Sequence, residues 1–205
     1  MPKQVLLIDS SIVGDASITR HVSSEIVSHL RQASPDAIVH HRDLATEPVP
    51  HLSGAYLAAQ SAPSLHEHDL QHDLALSARV LEEFLAADIV VIGAPMYNFT
   101  IPTQLKAWID RILVAGKTFR YTESGAEGLV SGKRVIVASA RGGFYGAETP
   151  LAMLDHQEPL LRSLFGFIGV TDIDFIRVEG VAISPEQRSK SLERAKCDIG
   201  ALRPI

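Results

Sequence analysis

The chain has 205 residues, of which 46% are hydrophobic and 21% are charged, a balance that is typical of one folded domain and excludes a mostly disordered protein. The net charge of −5 excludes a strongly basic surface, and no apolar run reaches the roughly 18 residues of a membrane-spanning helix, so we expect neither nucleic acid nor membrane as a partner. The single cysteine, Cys197, cannot form an internal disulfide and the N-terminal apolar run is too short for a signal peptide, which together predict a cytoplasmic protein.

Five runs rich in valine and isoleucine alternate with stretches of helical periodicity. The apolar runs predict strands that are covered on both faces, as in a parallel sheet, at residues 5–8, 38–39, 88–94, 135–138 and 175–178. Apolar residues spaced three or four apart predict helices within residues 18–30, 74–85, 105–112, 160–165 and 185–202. This alternation predicts a single α/β domain over residues 1–205, doubly wound around a five-stranded parallel sheet with helices on both faces.

Two segments depart from the alternation. Residues 46–73 are rich in proline and histidine and predict a loop or short helix over one sheet edge, whereas residues 116–133 contain FRYT and several glycines and predict a hairpin. Such insertions can build the walls of an active site or can decorate the surface. Within residues 46–73, the side chains of His66, His68 and His72 permit a metal site. Their acidic neighbours and the lack of a cysteine ligand favour a titrating surface cluster instead, so we expect no metal.

Ligands of open parallel sheets bind beyond the carboxyl ends of the strands, so the residues that follow each strand are the candidates for a site. After the first strand, a loop rich in hydroxyl groups leads directly into a helix and lacks the glycines of a dinucleotide-binding fingerprint. Ser11, Ser17 and Thr19 can bind a phosphate together with the helix N-terminus, or they can simply cap the helix.

The loop after the third long strand carries Met96, Tyr97 and Phe99 between Pro95 and Pro102. Two prolines stiffen this segment, which can form a wall for a planar aromatic ligand or can pack into the core.

The loop after the fourth long strand carries Arg141, Gly142 and Gly143. Paired glycines allow the backbone to approach a ligand closely, although a flexible turn would use the same residues. Arg141 can offer its charge to an anionic ring or can pair with a nearby carboxylate.

A phosphate loop, a flat wall and a polar edge at three strand ends together suit flavin mononucleotide (FMN). Here the chain resembles the FMN-dependent NADH:quinone oxidoreductases, also called NADH-azoreductases. The resembling stretches are residues 10–19, 94–99 (APMYNF), 116–132 (GKTFRYTESGAEGLVSG), 141–143 (RGG) and 165–170 (FGFIGV). The resemblance implies a flavodoxin-like fold, a homodimer and one tightly bound FMN per subunit near the dimer interface.

The resemblance also implies a role for each loop in holding FMN. It assigns the phosphate to Ser11, Ser17, Ile18 and Thr19. It assigns the isoalloxazine ring to Met96, Tyr97, Asn98 and Phe99. It assigns the polar edge of the ring to Ala140, Arg141, Gly142 and Gly143. Ile18 and Ala140 stand where the family usually has glutamine and serine, and since a lost hydrogen bond costs about 1 kcal/mol, we expect weaker but not abolished FMN binding.

The mechanism implied by the resemblance is a two-step transfer. NADH passes hydride to FMN N5 and leaves, and a quinone or an aromatic azo compound then accepts two electrons in a ping-pong reaction. No catalytic side chain is assigned. Backbone N–H groups and Arg141 are candidates to stabilise the reduced ring, and Phe99 and Tyr121 are candidates to stack on the substrate.

Two alternative functions stay open, a flavodoxin-like electron carrier without its own substrate and a regulatory protein without flavin. The sequence does not distinguish NADH from NADPH.

Overall fold

The structure, a computed structural model, describes residues 2–61 and 68–204, and within them a five-stranded parallel sheet forms the centre of the fold. The strands are β1 (Gln4–Asp9), β2 (Ile38–Asp43), β3 (Ile89–Pro95), β4 (Phe119–Thr122), β5 (Gly125–Gly128), β6 (Arg134–Ala140) and β7 (Asp172–Val178). The helices are α1 (Ile18–Ala33), α2 (Gly54–Ser61), α3 (His68–Ala86), α4 (Thr103–Ile112), α5 (Glu158–Phe167) and α6 (Pro185–Gly200). The sheet order is β2-β1-β3-β6-β7, while β4 and β5 form a separate antiparallel pair. The predicted fold class, a doubly wound five-stranded parallel sheet, is confirmed.

Two apolar layers sandwich the sheet because alternate residues of each strand point to opposite faces. Leu6 and Ile8 of β1 lie in the layer formed with α3, α4 and α5, whereas Val5 and Leu7 lie in the layer formed with α1 and α6. All seven residues of β3 are buried, which explains the continuous apolar run in its sequence.

The segment 46–73 contains α2 and the first turns of α3, so the expected short helix is present. Arg111 of α4 anchors this segment: its buried guanidinium donates to the carbonyl oxygen of Pro50 at 2.7 Å, contacts Asp73 at 3.2 Å and lies 3.8 Å from the ring centroid of Tyr56. His66 lies outside the described residues, so the proposed histidine cluster is not tested. Within the described ranges, no group of three or more histidine, cysteine or acidic side chains is arranged to hold a metal.

The predicted hairpin is present as β4 and β5, and it lies at the amino-terminal edge of the sheet. Helix α4 starts just beyond the carboxyl end of β3 and returns the chain to the opposite edge. Just after the hairpin, the N–H of Val130 donates to the carbonyl oxygen of Ile168, which precedes β7. At this contact a Cβ atom on Gly128 would come within 2.2 Å of the backbone nitrogen of Gly169.

We therefore expect Gly128→Ala to lower the free energy of unfolding by about 1–3 kcal/mol, because the added methyl group meets backbone that cannot move aside cheaply. Gly166→Ala in α5 is the matched control, since a Cβ there meets open space, and it should be neutral or stabilising by up to about 1 kcal/mol. Urea unfolding of the two variants measures the difference, and equal stabilities would contradict this packing.

Candidate functional site

The three loops predicted to bind a ligand leave the sheet from adjacent strands, β1, β3 and β6. The hydroxyl of Ser10 donates to the carbonyl oxygen of Gly93 at 2.6 Å, and the N–H of Met96 donates to the carbonyl oxygen of Ala140 at 2.8 Å. These bonds continue the sheet pairing beyond the strand ends, so the loops start side by side at the carboxyl edge. The structure thus brings the three loops together.

The first loop leads through Ser17 into α1. Ser17 Oγ accepts the N–H of Arg20 at 3.2 Å and lies 3.0 Å from Thr19 Oγ1, so Ser17 is the N-cap of the helix. In the described part of the chain, the N–H groups of Ile18 and Thr19 have no partner. Capping and anion binding are therefore compatible, because the cap satisfies the third amide of α1 and leaves the first two amides at the positive end of the helix dipole.

Tyr97 connects the first loop to the second. Its hydroxyl lies 3.2 Å from Ser11 Oγ and 3.3 Å from the backbone nitrogen of Ile12, which donates to it. The Tyr97 side chain is half-buried, and Met96 beside it is also half-buried. The aromatic loop is thereby fixed against the hydroxyl-rich loop.

Residues 97–100 form a tight turn with an unusual backbone. Tyr97 and Thr100 exchange backbone hydrogen bonds of 3.0 and 3.1 Å, and the two central residues have positive φ angles, 46° at Asn98 and 71° at Phe99. These are the only non-glycine residues with positive φ among those the structure describes. A bulky residue in this region costs about 1–3 kcal/mol, and such strain is concentrated at ligand-binding sites.

The Phe99 ring stands at the surface, with 42% of the residue exposed. Its ring packs edge-on against Tyr145 at a centroid distance of 6.1 Å, and its carbonyl oxygen accepts the N–H of His156 at 3.0 Å. The strained turn is therefore supported from the segment that follows β6, and the ring remains available to a ligand.

The third loop has its carbonyl groups bound, whereas two of its amide groups are unbound. The carbonyl oxygens of Arg141, Gly142 and Gly143 accept N–H groups from residues 180–182 at 2.9 to 3.2 Å. Over the residues described, the N–H groups of Gly142 and Gly143 have no partner. Two neighbouring donors are thus available to the polar edge of a ring.

Arg141 does not offer free charge to a ligand, which corrects the expectation that it stabilises an anionic ring. The residue is 1% exposed, and its guanidinium contacts Glu158 at 2.5 Å, Asp155 at 3.0 Å and Glu179 at 3.4 Å. Its backbone N–H donates to the carbonyl oxygen of Val178. Of the two roles open for its charge from sequence, pairing with carboxylates is the one observed.

Tyr121 does not lie near the three candidate ligand-binding loops of its own chain. It is 74% exposed and lies in β4, at the amino-terminal edge, whereas Phe99 lies at the carboxyl edge. A single subunit therefore does not bring the two residues together, and the stacking of Phe99 and Tyr121 on a substrate stays a prediction.

Gln157 is a site residue that the sequence did not indicate. It is fully buried, its Oε1 accepts the Ser139 hydroxyl at 2.5 Å, and its Nε2 donates to the carbonyl oxygen of Ala94 at 3.0 Å. It therefore ties the end of β3 to the end of β6 beneath the second and third loops. Asp155, whose Oδ1 caps the N–H groups of Gln157 and Glu158, and Pro159 in the first turn are local signals of an ordered helix start here.

A large charged groove of about 1060 Å³ lies beside β7. Its walls include Arg141 of the third loop, Arg162 of α5, and Lys190 and Arg194 of α6.

Comparison with known proteins agrees with the fold. A family model for the flavodoxin-like fold matches residues 3–202. The chain is 58% identical over 193 residues to the FMN-dependent NADH:quinone oxidoreductase 2 of Bradyrhizobium diazoefficiens, covering 94% of this chain and 95% of that protein. It is 54% identical over 193 residues to the FMN-dependent NADH:quinone oxidoreductase of Rhizobium meliloti, covering 94% and 93%. The chain belongs to this oxidoreductase family.

The crystal structure of an azoreductase from Bacillus anthracis has the same fold as this family member, with a TM-score of 0.86 at 27% identity over 98% of this chain and 100% of that one. None of the helices in the described ranges combines the length and apolar character that a bilayer span requires.

The strain at Phe99 leads to a prediction about stability in the absence of flavin. The free energy of unfolding of Phe99→Asn should lie within about 0.5 kcal/mol of that of the parent protein, because asparagine tolerates positive φ. The free energy of unfolding of Phe99→Val should be about 1 kcal/mol lower than that of Phe99→Asn, because a β-branched side chain does not tolerate positive φ. Both changes remove the ring, so urea unfolding of the pair isolates the backbone contribution. If the two variants are equally stable, Phe99 does not have the left-handed conformation.

Proposed function

We propose that this protein is an FMN-dependent NADH:quinone oxidoreductase that transfers two electrons from NADH to a quinone and that also cleaves aromatic azo compounds reductively. The observation that carries the proposal is that the loops after β1 and β6 hold four backbone donors without a partner among the described residues, on Ile18, Thr19, Gly142 and Gly143, while the strained turn of Asn98 and Phe99 follows β3, the strand between them. Membership in a family whose relatives carry this name supports it.

The residues present fit FMN in the chemistry of their hydrogen-bond donors. Ile18 and Thr19 would donate their N–H groups to the phosphate, assisted by the hydroxyls of Ser11 and Ser17 and by the dipole of α1. Because Ile18 has no polar side chain, its contribution is limited to its backbone.

The ring would be held by the other two loops. Met96, Tyr97, Asn98 and Phe99 would line its plane. Gly142 and Gly143 would meet its polar edge with their N–H groups, while Ala140, whose carbonyl oxygen already accepts the N–H of Met96, offers no hydroxyl.

Bound FMN supplies the chemistry of hydride acceptance and two-electron transfer. The protein positions it and stabilises charge. The preorganised N–H groups of Gly142 and Gly143 would stabilise the negative charge that develops at the polar edge on reduction, a role for which Arg141 is not available. NADH and the acceptor would both bind at the exposed side of the Phe99 turn, one after the other. Sequential use of one surface supports a ping-pong order.

The proposal includes a homodimer with one FMN per subunit. Tyr121 lies at the sheet edge opposite its own Phe99, so it can stack on a substrate only at the site of a second subunit. Its exposed ring packs edge-on against Phe119 of the same strand at a centroid distance of 5.5 Å. An aromatic residue held at the surface in this way is suited to an interface.

The test is steady-state oxidation of NADH by the purified yellow protein, with and without a small benzoquinone. We expect turnover that depends on the quinone, parallel double-reciprocal plots, and two NADH consumed for each azo bond cleaved in an azo dye. Tyr121→Ala should retain FMN but lose quinone turnover, whereas Arg120→Ala, on the opposite side of the same strand, should retain both.

Yellow protein without turnover would instead identify an electron carrier. Protein that stays colourless after FMN is added would contradict both functions. Intersecting plots would overturn the ping-pong order alone.

A further inference from the structure

Four charged or titratable side chains form a cluster beneath the phosphate loop, which we call the Asp9 cluster: Asp9, Arg20, His41 and Asp43. Asp9, at the end of β1, is 4% exposed and its Oδ2 lies 2.9 Å from His41 Nε2 and 3.7 Å from Arg20 Nη1. Arg20 Nη2 donates to Asp43 Oδ1 at 2.7 Å. Ser23 completes the cluster by donating its hydroxyl to Asp9 Oδ1 at 3.0 Å.

Arg20 joins this cluster to both ends of the phosphate loop. Its Nη2 donates to the carbonyl oxygen of Ser11 at 3.0 Å, and its backbone N–H donates to Ser17 Oγ at 3.2 Å. Since Ser11 and Ser17 begin and end the loop, a single side chain and its own backbone fix the distance across it. Asp9 and Asp43 hold the guanidinium in the required position.

The charge of the cluster depends on His41. With neutral His41 the two carboxylates outnumber Arg20, so the cluster carries one negative charge beside a site for an anion. With protonated His41 the charges balance. A phosphate monoester carries roughly −1.5 to −2 charge at neutral pH, so its binding is favoured when the cluster is neutral.

We propose that Arg20 is a positioning residue for the FMN phosphate, and that His41, acting through Asp9, makes retention of that phosphate weaken as pH rises. The inference rests on the proposed function, because it assumes that FMN occupies the three loops. It concerns the phosphate alone, so it predicts effects on FMN that riboflavin, which has the same ring without a phosphate, does not show.

The charged and titratable groups that face His41 come from each neighbouring element. They are Asp9 of β1, Asp43 of β2 and Arg20 of α1, with Asp15 in the preceding loop acting on Arg20 from a greater distance. The Arg20 contact lowers the pKa of Asp43 below its usual range, so Asp43 stays ionised at the pH values of the test below. The pH effect is therefore assigned to His41.

His40 provides a matched control because it is adjacent in sequence but lies on the other face of the sheet. The β1–β2 register places His41 beside Leu7, on the α1 face, and His40 beside Leu6, on the α3 face. His40 Nε2 lies 3.2 Å from Gln4 Oε1, and its surroundings include Arg79. It has no contact with the Asp9 cluster.

The first experiment measures dissociation constants of FMN and riboflavin for the apoprotein by quenching of flavin fluorescence. Arg20→Met should reduce the preference for FMN over riboflavin by about tenfold, the scale of one hydrogen bond to a charged group, with riboflavin affinity little changed. Arg20→Lys keeps the charge but lacks the planar pair of guanidinium donors, so its preference for FMN over riboflavin should lie between those of the parent and Arg20→Met. Equal losses for both flavins, or an unchanged preference, would show that Arg20 serves only to stabilise the fold.

The second experiment follows the same preference between about pH 5.5 and about pH 8.5, which brackets the ordinary titration of histidine. The phosphate titrates in every variant, so the comparison is between variants. His40→Asn should retain the parent's fall in preference with rising pH, and His41→Asn should show a flatter dependence. Identical slopes in the two variants would overturn the role of His41. If the parent binds neither flavin, the proposed function fails rather than this inference.

Discussion

The site depends on hydrogen bonds that extend the pairing of β3 with its two neighbours past the ends of the strands. On one side, both the N–H and the hydroxyl of Ser10 donate to the carbonyl oxygen of Gly93. On the other side, the N–H of Met96 donates to the carbonyl oxygen of Ala140. Because these bonds fix where each loop departs from a rigid sheet, the two pairs of unpaired amides, in the loops after β1 and β6, are held on either side of the loop that follows β3. Preorganisation of this kind reduces the entropy lost when a ligand binds.

The protein maintains several unfavourable local features at this edge, and each has a compensating contact. The positive φ angles at Asn98 and Phe99 are held by the Tyr97–Thr100 backbone pair and by the bond from His156. Buried Arg141 is neutralised by three carboxylates. Strain and buried charge of this kind are disfavoured in ordinary loops, so their concentration at one edge indicates a functional surface.

The sequence was sufficient for the features that depend on local patterns. The apolar runs and the helical spacing of apolar residues predicted the strands and helices, and the hydroxyl groups before α1 allowed either a phosphate site or a cap, of which the structure shows the cap at Ser17. The pairs that hold the site were not predictable in this way, because Arg20 meets Asp43, and Gln157 meets Ala94, only after the sheet order is set. Arg141 illustrates the limit: an arginine beside two glycines is compatible with a ligand or a carboxylate, and only the fold brings Glu158 to it.

Tyr121 shows the same limit at the level of topology. The sequence left open whether the hairpin builds a wall of the site or decorates the surface, and in the fold α4 carries the chain across the full height of the sheet before the hairpin begins. The resemblance to a dimeric family did not state which subunit supplies each wall of the site. Sequence proximity is therefore a poor guide to proximity at the carboxyl edge of a doubly wound sheet.

The central claim is that four unpaired backbone amides receive the cofactor, and titration of the ¹⁵N-labelled apoprotein with FMN tests it most directly. We predict that the amide resonances of Ile18, Thr19, Gly142 and Gly143 shift on binding, while that of Gly125 in the distant hairpin does not. Shifts confined to the charged groove beside β7, at Lys190 and Arg194, with those four amides unchanged, would contradict the account.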